Sequence, residues 1–418
     1  MTDALNRSLA SLHIPNYRRF FVGQLVSISG NWMQTVAELW VVLSLTGSGV
    51  AVGFTTALQF LPMLLVGAWG GLVADRMGKR RLLTITQTLH MVPPLALFGL
   101  AVGGGLTPLA VYAIVLARGT VNAVDYPARQ AFVMEMVGSD RVVNAVSLNS
   151  VLIHSARIIG PALAGVLIAT VGVAPCFALN AASFAVMIVA LAGMDRSALQ
   201  PARIAPPEPR AVRAGLRYVR ATPQLWIPLG LMAIVGTLGF NFQAILPLLA
   251  RFSFDGGASA YAALVSAMGI GAVIGALTNG ARGSVTPALL AGAAIVFGAL
   301  ALLAAGAPSI GLELLVLAPL GAASVTLAAS VNSALQLAAD PAMRGRVMAL
   351  YSVVFLGSTP IGAPLAGWLS EQVDPRAALV MAGVAALVAG LLARIAFEKQ
   401  GGKFASELFG GRAPGLTG

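Results

Sequence analysis

Runs of about twenty apolar residues, joined by short polar connections, leave this chain few ways to fold. Ala51–Trp69 and Leu82–Leu100 are the clearest neighbouring pair. Each is long enough to cross a bilayer as a helix, which takes ~20 residues. In lipid the backbone must satisfy its own hydrogen bonds, so such runs become helices. Of 418 residues, 10% are charged and 58% hydrophobic, with a mean hydropathy of +0.86. A soluble chain is usually about 25% charged. The expected fold is an all-α polytopic membrane protein with spans at 20–46, 50–73, 81–103, 107–128, 142–170, 173–194, 224–250, 257–281, 286–306, 309–337, 345–371 and 376–397. The first run starts near Phe20 and is too long for a cleaved signal peptide.

Between the second and third spans lies Gly71-Leu72-Val73-Ala74-Asp75-Arg76-Met77-Gly78-Lys79-Arg80-Arg81. Gly71 and Gly78 suit close backbone approach and a sharp turn. Asp75 is one acid among four cations, which implies a specific partner, either an Arg or a positive helix N-terminus. This stretch resembles the loop signature of the major facilitator superfamily, G-x-L-A-D-R-x-G-R-R-x-x-L. Gly71, Ala74, Asp75, Arg76, Gly78, Arg80 and Leu83 match it; Val73 and Lys79 depart from it. The resemblance implies twelve helices in two pseudo-symmetric six-helix bundles. It also implies a conformational latch formed by Gly71, Asp75, Arg76, Gly78 and Arg80, with Arg129 as the partner of Asp75.

Lysine and arginine distribution sets the expected orientation. With the N-terminus inside, the inner segments collect nearly all of the 26 Lys and Arg, and the outer loops hold Arg251 and Arg376. Both termini are therefore expected in the cytoplasm, in a bacterial inner membrane. The net charge of +11 is read as this topology signal, so no nucleic acid partner is expected. The one cysteine, Cys176, and three scattered histidines provide neither a metal cluster nor a catalytic set. No enzyme, cofactor or metal is expected, and the chain is read as a monomer among membrane lipids.

An internal repeat supports two halves. At an offset of 202, Gly160-Pro161-Ala162-Leu163-Ala164-Gly165 faces Gly362-Ala363-Pro364-Leu365-Ala366-Gly367, and Gly78 and Arg80 face Gly280 and Arg282. The expected organisation is a first bundle at 1–194, a cytoplasmic linker at 195–223, a second bundle at 224–397 and a tail at 398–418. In the linker, Arg210, Arg213, Arg217 and Arg220 lie on one face of a short amphipathic helix suited to an anionic membrane surface.

Polar residues recur at helical spacing inside three apolar spans. They are Gln24, Ser27, Asn31, Gln34 and Glu38; Arg118, Asn122, Asp125 and Arg129; and Ser147, Ser150, His154 and Arg157. Spacings of three and four place each set on one helix face. Because lipid-facing charge is costly, the stripes imply a shared polar cavity. The candidate substrate and proton pathway is Glu38, Gln34, Asn31, Arg118, Asn122, Asp125, His154 and Arg157, with Asn241 and Asn332 from the second half. Two readings stay open for Asp125 and Arg129, a local ion pair or a pathway role. Glu38 is the expected proton carrier, with a nearby cation such as Arg157; a permanent Glu38–Arg bridge is its alternative.

Gly160, Pro161 and Gly165 resemble a helix-packing signature of superfamily antiporters. With Asp125-Tyr126-Pro127-Ala128-Arg129-Gln130-Ala131, they resemble the bacterial branch that includes enterobactin and multidrug exporters. The resemblance implies a secondary active transporter, a proton-coupled exporter of an amphipathic small molecule of drug or siderophore type. Import on the same fold is the alternative.

Overall fold

A computed structural model describes residues 10–200, 211–282, 285–340 and 343–399. The described chain is helical. The helices are α1 (Pro15–Thr46), α2 (Gly49–Arg76), α3 (Lys79–Val102), α4 (Pro108–Thr170), α5 (Ala174–Ala192), α6 (Ala211–Ala221), α7 (Pro223–Leu238), α8 (Phe242–Leu248), α9 (Ala258–Arg282), α10 (Pro287–Ala305), α11 (Ile310–Ala338), α12 (Arg344–Leu356), α13 (Thr359–Gln372) and α14 (Pro375–Lys399). Among the described residues, ten helical segments are long and apolar enough to cross a membrane. The expected spans 20–46 and 107–128 fall outside that set. Both stretches are helical, but their polar stripes lower their hydropathy.

Several connections differ from the sequence reading. The expected loop 129–141 is helical, so α4 runs for 63 residues. It is broken at Gly138, whose φ of 71° is open to glycine at little cost. The expected span 224–250 is divided into α7 and α8 at Gly239–Asn241, and the span 345–371 into α12 and α13 at Gly357–Ser358. The linker helix forms as α6. It docks by Val219, which is buried, and the Tyr218 hydroxyl accepts a hydrogen bond from the Asp340 backbone N–H at 3.1 Å. Arg217 and Arg220 stay exposed. Arg210 and the side chain of Arg213 lie outside the described residues, as does the tail beyond 399.

Packing follows the repeat. In the first half, α4 packs on α1, α2 and α3, while α5 packs on α1 and α3. In the second half, α11 packs on α9, α10 and α7, while α14 packs on α10 and α7. The two halves meet where the C-terminal arm of α4 touches α9 and where α2 touches α13. A Cβ on Gly160 would collide with the Ser29 carbonyl oxygen and Trp32 on α1, and one on Gly362 with the Thr237 carbonyl oxygen on α7. Five residues on, a Cβ on Gly165 would lie 2.5 Å from Ala262 Cβ on α9, and one on Gly367 would collide with the Gly49 carbonyl oxygen on α2. In each copy of the repeat, the first glycine packs its own half and the second packs the opposite half.

The end of the molecule near residues 47, 172, 255, 307 and 374 is here called distal. Gly165 and Gly367 both make their contacts towards it. At that end, Glu371 Oε2 accepts hydrogen bonds from Ser48 Oγ at 2.6 Å and from the Val50 backbone N–H at 3.0 Å. Ser48 is the N-cap of α2, so the carboxylate of one half sits at a helix N-terminus of the other, where an anion is favoured. The other end is knitted within the first half. Arg80 donates to the Leu191 and Ala192 carbonyls at 2.7 and 3.0 Å, and Arg19 donates to the Gly193 carbonyl at 2.7 Å. These cations satisfy the exposed carbonyls at the C-terminus of α5. Phe20, Phe132, Leu83 and Met187 form a buried cluster beside them.

Glu371→Ala is expected to weaken distal closure by about 1 kcal/mol, the scale of a lost helix cap, with solvent screening reducing it further. Spin labels on α2 and α13 measure this as a larger fraction of long distal distances than in the parent protein. An unchanged distance distribution refutes the assignment.

Candidate functional site

The polar stripes do not converge on one cavity; they form two buried clusters and a separate cation site. The first cluster is built around Glu38 on α1, which is 1% exposed. Arg118 Nη2 on α4 lies 2.7 Å from Glu38 Oε2, and Gln34 Nε2 donates to Glu38 Oε1 at 2.7 Å. The Arg118 Nη2–H direction is off-line for a hydrogen bond, so charge attraction holds that contact. Behind Gln34, Asn180 Nδ2 on α5 donates to its Oε1, and Ser183 Oγ donates to Asn180 Oδ1 at 2.9 Å. Arg118 Nη1 also donates to Thr35 Oγ1 at 3.3 Å. The cation beside Glu38 is therefore Arg118 and not Arg157.

The second cluster surrounds Asp125, also 1% exposed. Its Oδ1 accepts from Thr86 Oγ1 at 2.6 Å and Gln87 Nε2 at 2.8 Å, both on α3. Its Oδ2 accepts from Arg129 Nε at 3.0 Å and from Arg129 Nη2. Of the two readings left open, the geometry contains the local ion pair, one turn apart on α4. Arg129 thus has an acid other than the expected Asp75. The side chains of Gly71 and Asp75 lie outside the described residues. Gly78 has a φ of −58°, and a Cβ there would meet nothing within 4 Å. One turn along α3 from Thr86, His90 stacks on Phe184 with ring centroids 5.3 Å apart. Its Nδ1 has no partner among the described residues.

The third site holds Arg157. Its guanidinium lies over the Trp32 ring, 5.0 Å from the centroid, and no acid pairs with it among the described residues. It lines a small enclosed cavity with Trp32, Thr35, Phe242, Gln243 and Tyr261. These residues come from α1, α4, α8 and α9, so both halves contribute. Gln243 Oε1 is buried without a partner among the described residues. Thr35 joins the sites, since it both lines this cavity and accepts from Arg118. His154, one turn before Arg157, is half-buried with an unpartnered Nδ1.

The remaining candidates are peripheral to these clusters. Asn31 is half-buried, and its carbonyl accepts from Thr35 Oγ1 at 2.9 Å. Asn122 is exposed. Asn241 stands at the α7–α8 break, donating to the Thr237 carbonyl at 2.7 Å. Asn332 accepts from Gln336 Nε2 at 2.6 Å within α11.

Residues 6–404 match the family described as transmembrane secretion effector, of major facilitator superfamily type. The chain belongs to that family. It is therefore a multi-pass membrane transporter and not an enzyme. It is 27% identical over 398 residues to the enterobactin exporter EntS of Citrobacter koseri, covering 93% of each chain. A second similar protein, the staphyloferrin A transporter of Staphylococcus aureus, is 25% identical over 268 residues, which is 62% of this chain and 65% of the other. The fold resembles that of a bacterial homologue of the lysosomal transporter Spinster, solved inward-facing and unoccupied. The TM-score is 0.74 at 13% identity, covering 96% of this chain and 98% of that one.

Glu38→Leu and Arg118→Met are each expected to destabilise the protein by about 3–5 kcal/mol, because each leaves a buried charge unpaired. The double variant should lose less than either single variant. Thermal unfolding of all four proteins in one detergent checks this; additive losses show that the two groups are uncoupled.

Proposed function

We propose that the chain is a proton-coupled exporter of amphipathic, anionic small molecules of the siderophore type. The observation that carries the substrate class is Arg157. A guanidinium without an acid partner, in a cavity shared by both halves, is expensive to keep there unless an anion visits it. The Trp32, Phe242 and Tyr261 rings suit an aromatic or apolar body, and the free Gln243 Oε1 accepts from a ligand hydroxyl or amide. The names of the enterobactin and staphyloferrin A relatives support the same class.

On this reading α1 and the N-terminal arm of α4 also cross the membrane, making twelve spans in two six-helix bundles. The bundles are 1–194 and 224–397, joined by the linker 195–223. The halves rock about the Arg157 cavity in alternating access. The lysine and arginine asymmetry places the distal end outside and both termini in the cytoplasm of a bacterial inner membrane. The structure, closed at the distal end by α2–α13 and α4–α9, then represents an outward-closed state. Glu38 carries the proton: protonation removes its attraction for Arg118, and Thr35 passes the change in Arg118 to the substrate cavity. Asp75 and the basic loop act as the cytoplasmic latch.

Proteoliposomes with an imposed pH gradient test the whole reading. A catecholate or carboxylate siderophore is expected to move against the proton flux, and an absence of substrate-stimulated proton flux overturns it. Movement in the same direction as the protons selects import. Glu38→Gln should abolish pH-driven transport and leave substrate exchange intact; unaltered pH dependence makes the Glu38–Arg118 pair a structural bridge. Arg157→Leu should raise the KM for anionic substrates about tenfold or more, given that losing one charged hydrogen bond costs about 1.5–3 kcal/mol. Neutral substrates should be affected less.

A further inference from the structure

Among its described residues, the second half contains one buried acid that no network serves. Glu313 lies in the first turn of α11 and is fully buried. Neither carboxylate oxygen has a hydrogen-bond partner among the described residues. The other buried acids differ sharply, since Glu38 has Gln34 and Arg118, and Asp125 has Thr86, Gln87 and Arg129. An ionised carboxylate without donors in a low-dielectric interior is far more costly than a neutral carboxyl, and such groups neutralise instead.

A cation stands ready nearby. Arg376, at the start of α14, reaches the connection that leads directly into the first turn of α11. It is beyond ion-pair distance of Glu313 and is held elsewhere: its Nη2 donates to the Ala307 carbonyl at 2.9 Å, and its guanidinium lies 5.7 Å from the Phe254 ring centroid. Its Nε is buried without a partner among the described residues. Donor and acceptor are thus both unfilled at neighbouring helix ends. The N-terminus of α11 would also favour a carboxylate at this position. An open recess lined by Phe254, Asp255, Ser309 and Ile310 reaches within one turn of Glu313 from the distal end.

Other charges here are engaged or remote. Asp374 accepts from the Arg376 backbone N–H at 2.8 Å, and Glu371 is bound to Ser48. Asp255 and Arg251 lie in the connection before α9. Of the helices packed on α11, α7 and α10 carry no ionisable side chain, α9 carries Tyr261 and Arg282, and α12 carries Arg344, Arg346 and Tyr351. Arg282, Arg344 and Arg346 belong to the opposite ends of their helices.

We propose that Glu313 is a second proton-binding carboxyl, loaded from the distal end, whose deprotonated form is captured by Arg376. In the state described here it carries the proton. Loss of that proton to water in the recess creates a carboxylate, which draws α14 towards the foot of α11 through the free Arg376 Nε. The site extends the proton-coupled reading above by giving the second half its own titrating group.

The test uses the full chain in lipid nanodiscs, without substrate, so that it does not depend on the transport reading. Infrared difference spectra between acid and alkaline buffers should contain the carbonyl stretch of a protonated carboxyl. Glu313→Gln should remove that signal, and Glu38→Gln should leave it. Glu313→Asp, which keeps a carboxyl, should retain a shifted band, and Arg376→Gln should change the pH at which the Glu313 band disappears. In proteoliposomes, Glu313→Gln should lose pH-driven net transport while retaining exchange. A Glu313 band absent from the parent protein, or unchanged in Glu313→Gln, overturns the proposal. So does a band whose titration ignores Arg376. Failure of proton coupling in the parent protein with the Glu313 band present refutes the exporter reading instead.

Discussion

The pairing of Glu38 with Arg118 is the contact on which the arrangement of the first half depends. Two opposite charges on α1 and α4 are both buried, in a region where either alone would be intolerable. Their pairing fixes the rotation of both helices, and that rotation sets what else each presents. On α1 it places Gln34 beside Asn180 of α5 and Thr35 beside Arg118. On α4 it directs Asp125, two turns on, to Thr86 and Gln87 of α3. One ion pair thereby aligns four helices. The cavity at Arg157 lies at the edge of this network and touches it through Thr35.

The contacts between halves obey a different physics. Lipid tails are as apolar as leucine, so helices associate through close packing and not by escaping water. Glycine permits that proximity. Gly367 brings its backbone directly against the backbone of α2, and Gly165 brings its own against the small Ala262 methyl on α9. Such surfaces bind through many weak dispersion contacts. Within each half, by contrast, the charged and amide networks hold the helices in fixed register.

Much of this was legible in the residues. Apolar run length located the helices, because the bilayer imposes a length that chemistry must match, but it missed the merging of 107–128 with 142–170 and the breaks inside 224–250 and 345–371. The offset of 202 anticipated the matched glycine contacts, since a repeated fold needs close approach at repeated places. The polar stripes located Glu38, Gln34, Arg118 and Asp125. Their destinations were not legible, because a stripe specifies a helix face and not the neighbour that face meets. Glu38 was expected near Arg157 and met Arg118. Asn180 and Ser183 were missed on α5, as were Thr86, Gln87 and His90 on α3. Each set has helical spacing of three or four, but two or three polar residues in a span are weak evidence before their partners are known. The expected spans stopped at 128 and resumed at 142, yet α4 passes through 129–141 and bends at one glycine of positive φ, Gly138.

The contact between Glu371 and Ser48 has a consequence for how the surroundings act on this transporter. Glu371 is exposed, and its partner is the end of a helix in the other half. Nothing needs to enter the protein to disturb that contact. Acid, divalent cations or concentrated salt in the surrounding solution all weaken the hold of a solvent-facing carboxylate on a helix end. The firmness of the contact between α2 and α13 is then set partly by the solution that bathes it, and the same chain in acidic or saline surroundings holds that end less tightly.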